Sequence, residues 1–188
     1  MPTLSHHEFP LHRLSHRAMA LLILSLASAT CTTANAQAPQ PIAQAAPLSA
    51  KAEKNFDKIA NDALLAMRSR AAELNITGVA LVAYFQGDTI QSWSSKMLVV
   101  GRMKDLPTDA KKGSNLLAIA YSKAAEMADT LKDSGSQIRP AMTGEVGWTG
   151  GVILRGKTGY LIGAFSGGKS EDDVKVSKAG AEVLKSKL

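Results

Sequence analysis

The sequence predicts an α+β fold in which an antiparallel sheet of four to five strands is flanked by helices, in the order α-β-β-α-β-β-α. Three segments carry apolar residues at three- and four-residue spacing, which is typical of amphipathic helices. Two pairs of short apolar runs, each pair joined by a short turn that contains glycine, predict β-hairpins between these helices. Strands of a hairpin are antiparallel, whereas parallel strands need a long crossover connection. The helices are therefore expected to pack on an antiparallel sheet.

Residues 1–36 are expected to be a signal peptide that is cleaved after Ala36. Arg13 and Arg17 form a positive n-region, AMALLILSLASA forms an apolar h-region, and ANA supplies the small residues of a cleavage site. The apolar run is shorter than the roughly 20 residues that a membrane-spanning helix needs. A lipid anchor on Cys31 is the alternative, but the preceding LASAT departs from the usual lipoprotein pattern. The sequence thus predicts a periplasmic or secreted protein without stable membrane insertion.

Cleavage of the signal peptide restricts the kinds of catalytic and metal-binding site that the mature chain can form. All four histidines and the only cysteine lie within residues 1–36. Without them the chain has no disulfide, no Cys/His zinc site, no thiol nucleophile, no Ser-His-Asp triad and no histidine ligand for haem. Two basic residues and one acidic residue are also lost, so the net charge falls from +6 to +5. The remaining basic residues are scattered and not interleaved with aromatics, so nucleic-acid binding is not expected.

The first half of the mature chain is expected to contain a linker, a helix and a hairpin. Residues 37–50 are rich in Ala, Pro and Gln, which indicates a flexible linker before a single domain at 51–188. Apolar residues at helical spacing then predict the first helix. GVALVAYF (78–85), the turn QGD and TIQSW (89–93) predict the first hairpin, and MLVV (97–100) is the candidate fifth strand. The stripe of the helix consists of Phe56, Ile59, Ala63, Met67, Ala71 and Leu74.

The second half is expected to contain a helix, a hairpin and a final helix. An alanine-rich apolar stripe predicts a helix over residues 114–133. VGWTGGVIL (146–154) and YLIGAFSGG (160–168) predict the second hairpin, and the last helix is expected from about 171 to 185.

The stretch FSGGKSEDD joins the last strand to the last helix and contains two glycines. A phosphate cradle at a helix N-terminus is one interpretation. The acidic residues Glu171, Asp172 and Asp173 favour a simple turn, because they already complement the helix dipole and would repel an anion. Ser170, three residues before Asp173, resembles the N-cap of a capping box.

Four motifs in the second half resemble the GlcG/HbpS-like family: IAYSKAAEMA, GWTGGVI, GYLIGAFSGG and EDDVKVSKAGAEVL. The resemblance covers residues 114–184 well and the first hairpin weakly. The chain departs from the family pattern at Ile153, where the family has proline, at Gln86, where it has aspartate, and by extra residues before GRMKD. The resemblance implies an α+β fold, homo-oligomeric assembly and, in some members, haem binding or an accessory role in sensing.

Four residues are the candidate ligand-binding set. Lys123 matches the lysine of the family's helix motif and could meet a propionate or another carboxylate, although a snorkelling surface lysine is the alternative. Arg139 and Trp148 flank the glycine-rich strand and could supply a charge clamp and an apolar wall, although a tryptophan in such a position more often belongs to the core. Met142, in a loop beside Arg139, is the more exposed candidate axial ligand for haem.

The function expected from these residues and from the family resemblance is non-catalytic binding of haem or a similar anionic planar molecule, with an accessory role in sensing or uptake. The alternative is an interaction module that acts through homo-oligomer assembly or a sensor partner. Catalysis is least favoured, because Glu145 is the one carboxylate in an apolar, glycine-rich setting where its pKa could rise, and it has no evident partner. No metal ligand is assigned. The other conventional haem ligands are Met67, Met97, Met103, Met127, Tyr84, Tyr121 and Tyr160.

Overall fold

The computed structural model of the chain describes residues 50–188, so the predicted signal peptide and nearly all of the linker lie outside the described residues. The helices are α1 (Ala50–Glu73), α2 (Leu116–Thr130) and α3 (Ser170–Lys187). The strands are β1 (Gly78–Gln86), β2 (Ser94–Val100), β3 (Lys104–Asp105), β4 (Ser114–Asn115), β5 (Gly151–Arg155) and β6 (Gly159–Ser166). The predicted α+β class and the predicted order of the helices and main strands are confirmed.

The main sheet has four antiparallel strands in the order β2-β1-β6-β5. β1 pairs with β2 and β5 pairs with β6, and the two hairpins join where β1 lies beside β6, with Val79 opposite Ser166 and Gln86 opposite Gly159. The short strands β3 and β4 form a separate two-stranded sheet just before α2. Because β1 and β6 are central, their backbone groups pair on both sides.

Helices cover both faces of the sheet. Alternate side chains of β1, such as Ala80 and Val82, pack against α1 and α3, while Leu81 and Ala83 pack against α2. A strand buried on both faces has no reason to alternate apolar and polar residues. This is why GVALVAYF is a continuous apolar run, with every residue of β1 buried except the last.

Two predicted strands begin in the wrong place. The partner of β1 is 94–100 and includes the candidate fifth strand, whereas Thr89–Trp93 lies in the connecting loop. Residues 146–150 belong to a long loop rather than to β5, since Gly147 and Gly150 have φ of 64° and 134°, far from extended backbone. An apolar run in the sequence shows that a strand is present but not where it begins and ends. The ends depend on pairing with strands that are distant in the sequence.

The stretch that joins β6 to α3 is a turn, but its cap differs from the predicted capping box. The N-cap residue is Lys169, which makes no side-chain capping bond, and Ser170 is the first helical residue. The Asp173 carboxylate instead accepts the backbone N–H of Gly168 at 2.8 Å. Within residues 50–188 the structure contains no helix long and apolar enough to cross a membrane.

Candidate functional site

Lys123 of α2 is buried, contrary to the interpretation that it lies at the surface. Its side chain is 2% exposed, and Nζ donates to the Phe165 carbonyl at 2.8 Å and to Asp173 Oδ2 at 2.9 Å. It thereby ties α2 to the end of β6 and the first turn of α3. Gly150 is required beside it, because a Cβ on that residue would overlap Lys123 Nζ.

The Asp173 carboxylate is the buried ion-pair partner of Lys123. Burial raises the pKa of Asp173, while the Lys123 ammonium and the Gly168 N–H oppose that rise. The lysine charge is therefore already committed to a carboxylate inside the protein. An anionic ligand would have to compete with Asp173 for it.

A small cleft, here called the Lys123 cleft, opens next to this pair. Its volume is about 180 Å³, and its lining includes Lys123, Asp173, Trp148, Ser166 and Ser170. Sites for drug-sized ligands have volumes of roughly 300–1,000 Å³. The Lys123 cleft is therefore too small for a haem and has room for only a few atoms.

Residues 131–150, here called the α2–β5 loop, are held by side chains that bond to its backbone. Ser122 Oγ accepts the Val146 N–H at 2.8 Å, and Glu126 Oε1 accepts the Gly135 N–H at 2.8 Å. Loops longer than roughly 15 residues without secondary structure are uncommon in compact domains and are often functional. These bonds give the α2–β5 loop a defined shape on one side of α2.

Arg139 is the centre of a second cluster of bonds in this loop. Its guanidinium donates to Asp129 at 2.5 and 3.2 Å, to Glu145 twice at 2.7 Å and to the Pro140 carbonyl at 3.0 Å. These bonds use all five N–H groups of an arginine. Arg139 therefore ties its own loop to Asp129 of α2, and each of its N–H groups has an acceptor among the described residues.

The same bonds lower the pKa of Glu145, which the sequence suggested could be raised. The Arg139 guanidinium and then the Met142 N–H, which donates to Glu145 at 2.8 Å, lower the pKa of Glu145 to about 2. The carboxylates in turn raise the pKa of Arg139. Glu145 is thus a permanently ionised loop anchor at neutral pH and not a carboxyl group with a raised pKa.

The α2–β5 loop and α2 enclose a larger space, here called the Trp148 groove. Its volume is about 610 Å³, and Glu126, Gln137, Arg139 and Trp148 are among the residues that line it. Trp148 also lines the Lys123 cleft and is 55% exposed, so it separates the two spaces. Gln137 has a φ of 57°, a left-handed conformation that is costly for a residue with a side chain and is often found at ligand sites.

Sequence analysis missed Glu126, which lines the groove. The residue is only 6% exposed, and its Oε2 is buried with no hydrogen-bond donor in the described part of the chain. Glu126 lies off the predicted apolar stripe of α2, which is where a solvated acidic residue is expected. Its burial depends on the loop that covers this side of α2, and no local pattern in the sequence predicts that covering.

The four candidate binding residues come together only in pairs: Lys123 and Trp148 line the Lys123 cleft, and Arg139 and Trp148 line the Trp148 groove. Met142 is 52% exposed and lines neither the Lys123 cleft nor the Trp148 groove, while Met67 and Met127 are fully buried in the two cores. Arg139 has no free donor for a propionate, and Glu126 brings a negative charge to the groove wall. The site does not fit haem in the way the sequence predicts. Within the described residues there is also no cluster of three or more Asp, Glu, His or Cys side chains that could hold a metal ion.

No protein-family model matches the chain, and comparisons with curated proteins and with solved structures found no match. The resemblance to the GlcG/HbpS-like family therefore rests on the four sequence motifs and stays a prediction.

Proposed function

We propose that this chain is a non-catalytic protein that binds a small molecule in the Trp148 groove. One observation carries the proposal: the groove, at about 610 Å³, is already shaped by bonded loop residues and walled by a half-exposed tryptophan. Ligand sites are typically concave, largely preformed and lined by aromatic residues together with a few polar groups. The Trp148 groove meets each of these conditions.

The ion pair that holds Arg139 in the groove wall supports binding rather than catalysis. A general base works best when its pKa lies near the operating pH. Glu145, with a pKa of about 2, is a poor base at neutral pH, and it is occupied by Arg139. The role that these residues serve is to hold the walls of the groove.

The proposal places the binding protein outside the cytoplasm and in the GlcG/HbpS-like family. Support comes from the three-part signal pattern that ends at Ala36 and from the four motifs between residues 114 and 184. An accessory role in sensing or uptake is consistent with both. Haem is not part of the proposal, because an anionic porphyrin would meet Glu126 and an Arg139 without free donors.

The test is a binding screen by nuclear magnetic resonance, with a mixture of small aromatic fragments added to the isotope-labelled protein. We expect the amides of Gly135, Gln137 and Gly147 to shift, and Trp148→Ala to abolish these shifts. Leu106→Ala is the matched control, because it shortens a side chain that is 69% exposed and does not line the groove. Absence of shifts at the groove amides would contradict the proposal.

A titration with hemin, monitored by visible absorption, tests the expectation that haem does not bind in the groove. We expect no saturable change beyond that seen with an unrelated basic protein of similar charge. A stoichiometric change that Trp148→Ala removes would restore haem as the ligand.

A second candidate function is assembly of several copies of the chain. The observation that favours it is a set of apolar side chains on the α2–β5 loop that are all more than half exposed: Ile138, Met142 and Trp148. Apolar and aromatic residues grouped on a surface mark contact sites between proteins. In such an assembly the Trp148 groove would lie at or beside the interface.

A further inference from the structure

Glu126 carries a hydrogen-bond acceptor that the protein does not use. Oε1 accepts the Gly135 N–H at 2.8 Å, which fixes the side chain, whereas Oε2 has less than 1 Å² of accessible surface and no donor within the described residues. Buried polar atoms nearly always have a partner, because an unpaired one loses its hydration without compensation. The Glu126 carboxylate therefore lies in the wall of the groove with hydrogen-bonding capacity that the described residues leave unused.

The charges around Glu126 favour a cation as the donor. Glu126 and Arg139 are the charged residues that line the groove, and Arg139 is surrounded by the carboxylates of Asp129 and Glu145. These four side chains together carry three negative charges and one positive charge. Arg139 cannot serve Glu126, since its five N–H groups already have acceptors. The groove thus retains a negative field that its own guanidinium does not cancel.

The other walls of the groove suit an apolar body attached to that cation. Trp148 presents an exposed ring, and Ile138, Pro140 and Val146 supply aliphatic surface. Aromatic faces attract ammonium groups through their quadrupole, most strongly in the case of tryptophan. A ligand with both an ammonium and an apolar part would contact both kinds of wall.

We propose that the Trp148 groove binds a small organic molecule with a primary ammonium group and an apolar body, and that the ammonium pairs with the Glu126 carboxylate in the groove wall. This inference rests on the proposed function and names its ligand class. A primary ammonium is specified because it carries three N–H groups that can donate to a carboxylate, whereas a trimethylated nitrogen has none. The inference reverses the charge of the ligand that the sequence predicts.

Four probes with the same phenylethyl framework test the chemistry: 2-phenylethylammonium, its N-trimethyl derivative, neutral 2-phenylethanol and anionic phenylacetate. Binding to the purified protein is measured from the shifts of the Gly135, Gln137 and Gly147 amides. We expect 2-phenylethylammonium to bind most tightly, by roughly tenfold or more over each of the other probes, the advantage that a hydrogen bond to a charged group provides.

Glu126→Gln is the decisive variant. Its amide can keep the acceptor for the Gly135 N–H while replacing the free oxygen by a donor, so the loop anchor survives and the ammonium acceptor is lost. We expect affinity for 2-phenylethylammonium to fall roughly 10- to 100-fold and affinity for 2-phenylethanol to stay the same. Glu182→Gln, the same substitution at an exposed position of α3, should change neither affinity.

The outcomes separate this inference from the proposed function. If all four probes shift the groove amides equally, or if Glu126→Gln leaves the preference intact, the groove binds small molecules but the ammonium assignment is overturned. If fragments shift the groove amides while 2-phenylethylammonium does not, the assignment is likewise overturned and the proposed function stands. If nothing shifts these amides, both fail.

Discussion

At the scale of single residues, the buried pair of Lys123 and Asp173 links three elements. Removing one partner leaves the other charge buried without compensation, a change that costs about 3 to 5 kcal/mol in buried ion pairs. We therefore expect Lys123→Met to lower the free energy of unfolding by about that amount, measured by urea denaturation. The replacement keeps most of the side-chain volume, so loss of packing contributes little.

The matched control for this prediction is the double variant Lys123→Met/Asp173→Asn. Asparagine keeps an acceptor for the Gly168 N–H, which Asp173 binds at 2.8 Å, and removes the stranded charge. The double variant should recover most of the stability, because a buried ion pair as a whole contributes little net stability. A single variant as stable as the wild type would show that Asp173 is hydrated and that the pair is not closed to solvent.

The sequence points to both residues but does not show that they form an ion pair. Lys123 matches a family motif, but its partner Asp173 lies in another helix, where the sequence predicts only a first-turn residue that complements the helix dipole. Charge and helix position are local properties that a sequence shows. Pairing across the end of a sheet depends on how α2 crosses β6, and no periodicity contains that information.

At the scale of elements, the helices and the two hairpins could be predicted because each is amphipathic or continuously apolar over several residues. The α2–β5 loop could not, although it builds the Trp148 groove. Its shape comes from individual side chains such as Ser122 and Glu126, which accept backbone N–H groups of the loop. Such bonds follow no repeat, so VGWTG resembles the start of a strand in the sequence and is loop in the structure.

The ion pair between Arg139 and Glu145 makes the stability of this loop depend on pH. The folded pKa of Glu145 is about 2, below its ordinary value of 4.5, so the pair stabilises the protein fully above about pH 5. The contribution decreases as the pH falls below 4.5 and is lost near pH 2, where the carboxyl group is protonated in both states. We expect Glu145→Gln to lower the urea midpoint at pH 7.

The measurement is the difference in urea midpoint between wild type and Glu145→Gln across this pH range. The difference should be constant at and above neutral pH and shrink towards zero as pH 2 is approached. Glu182→Gln serves as the reference for an exposed carboxylate and should show little difference at any pH. A difference between wild type and Glu145→Gln that does not change with pH would show that Glu145 supports the loop by shape and not by charge.

At the scale of the whole molecule, both faces of the sheet are covered by helices, so neither face is open to a partner. Ligand and partner contacts must then use the ends of the sheet, its edges or the connections. The α2–β5 loop is such a connection, and it carries both the Trp148 groove and the exposed side chains Ile138 and Met142. The proposed binding and the proposed assembly would therefore involve the same surface.

This shared surface predicts how assembly would respond to substitution. If copies of the chain associate through the α2–β5 loop, Ile138→Lys should dissociate them, because it places a charge in the apolar contact. Leu65→Lys is the matched control, since Leu65 is a 46% exposed apolar residue on α1. Light scattering after size-exclusion chromatography should show an oligomer for the wild type and Leu65→Lys, and a monomer for Ile138→Lys. A wild type that stays monomeric up to roughly 0.1 mM, well above the Kd of a stable complex, would remove the assembly function and leave the groove free for its ligand.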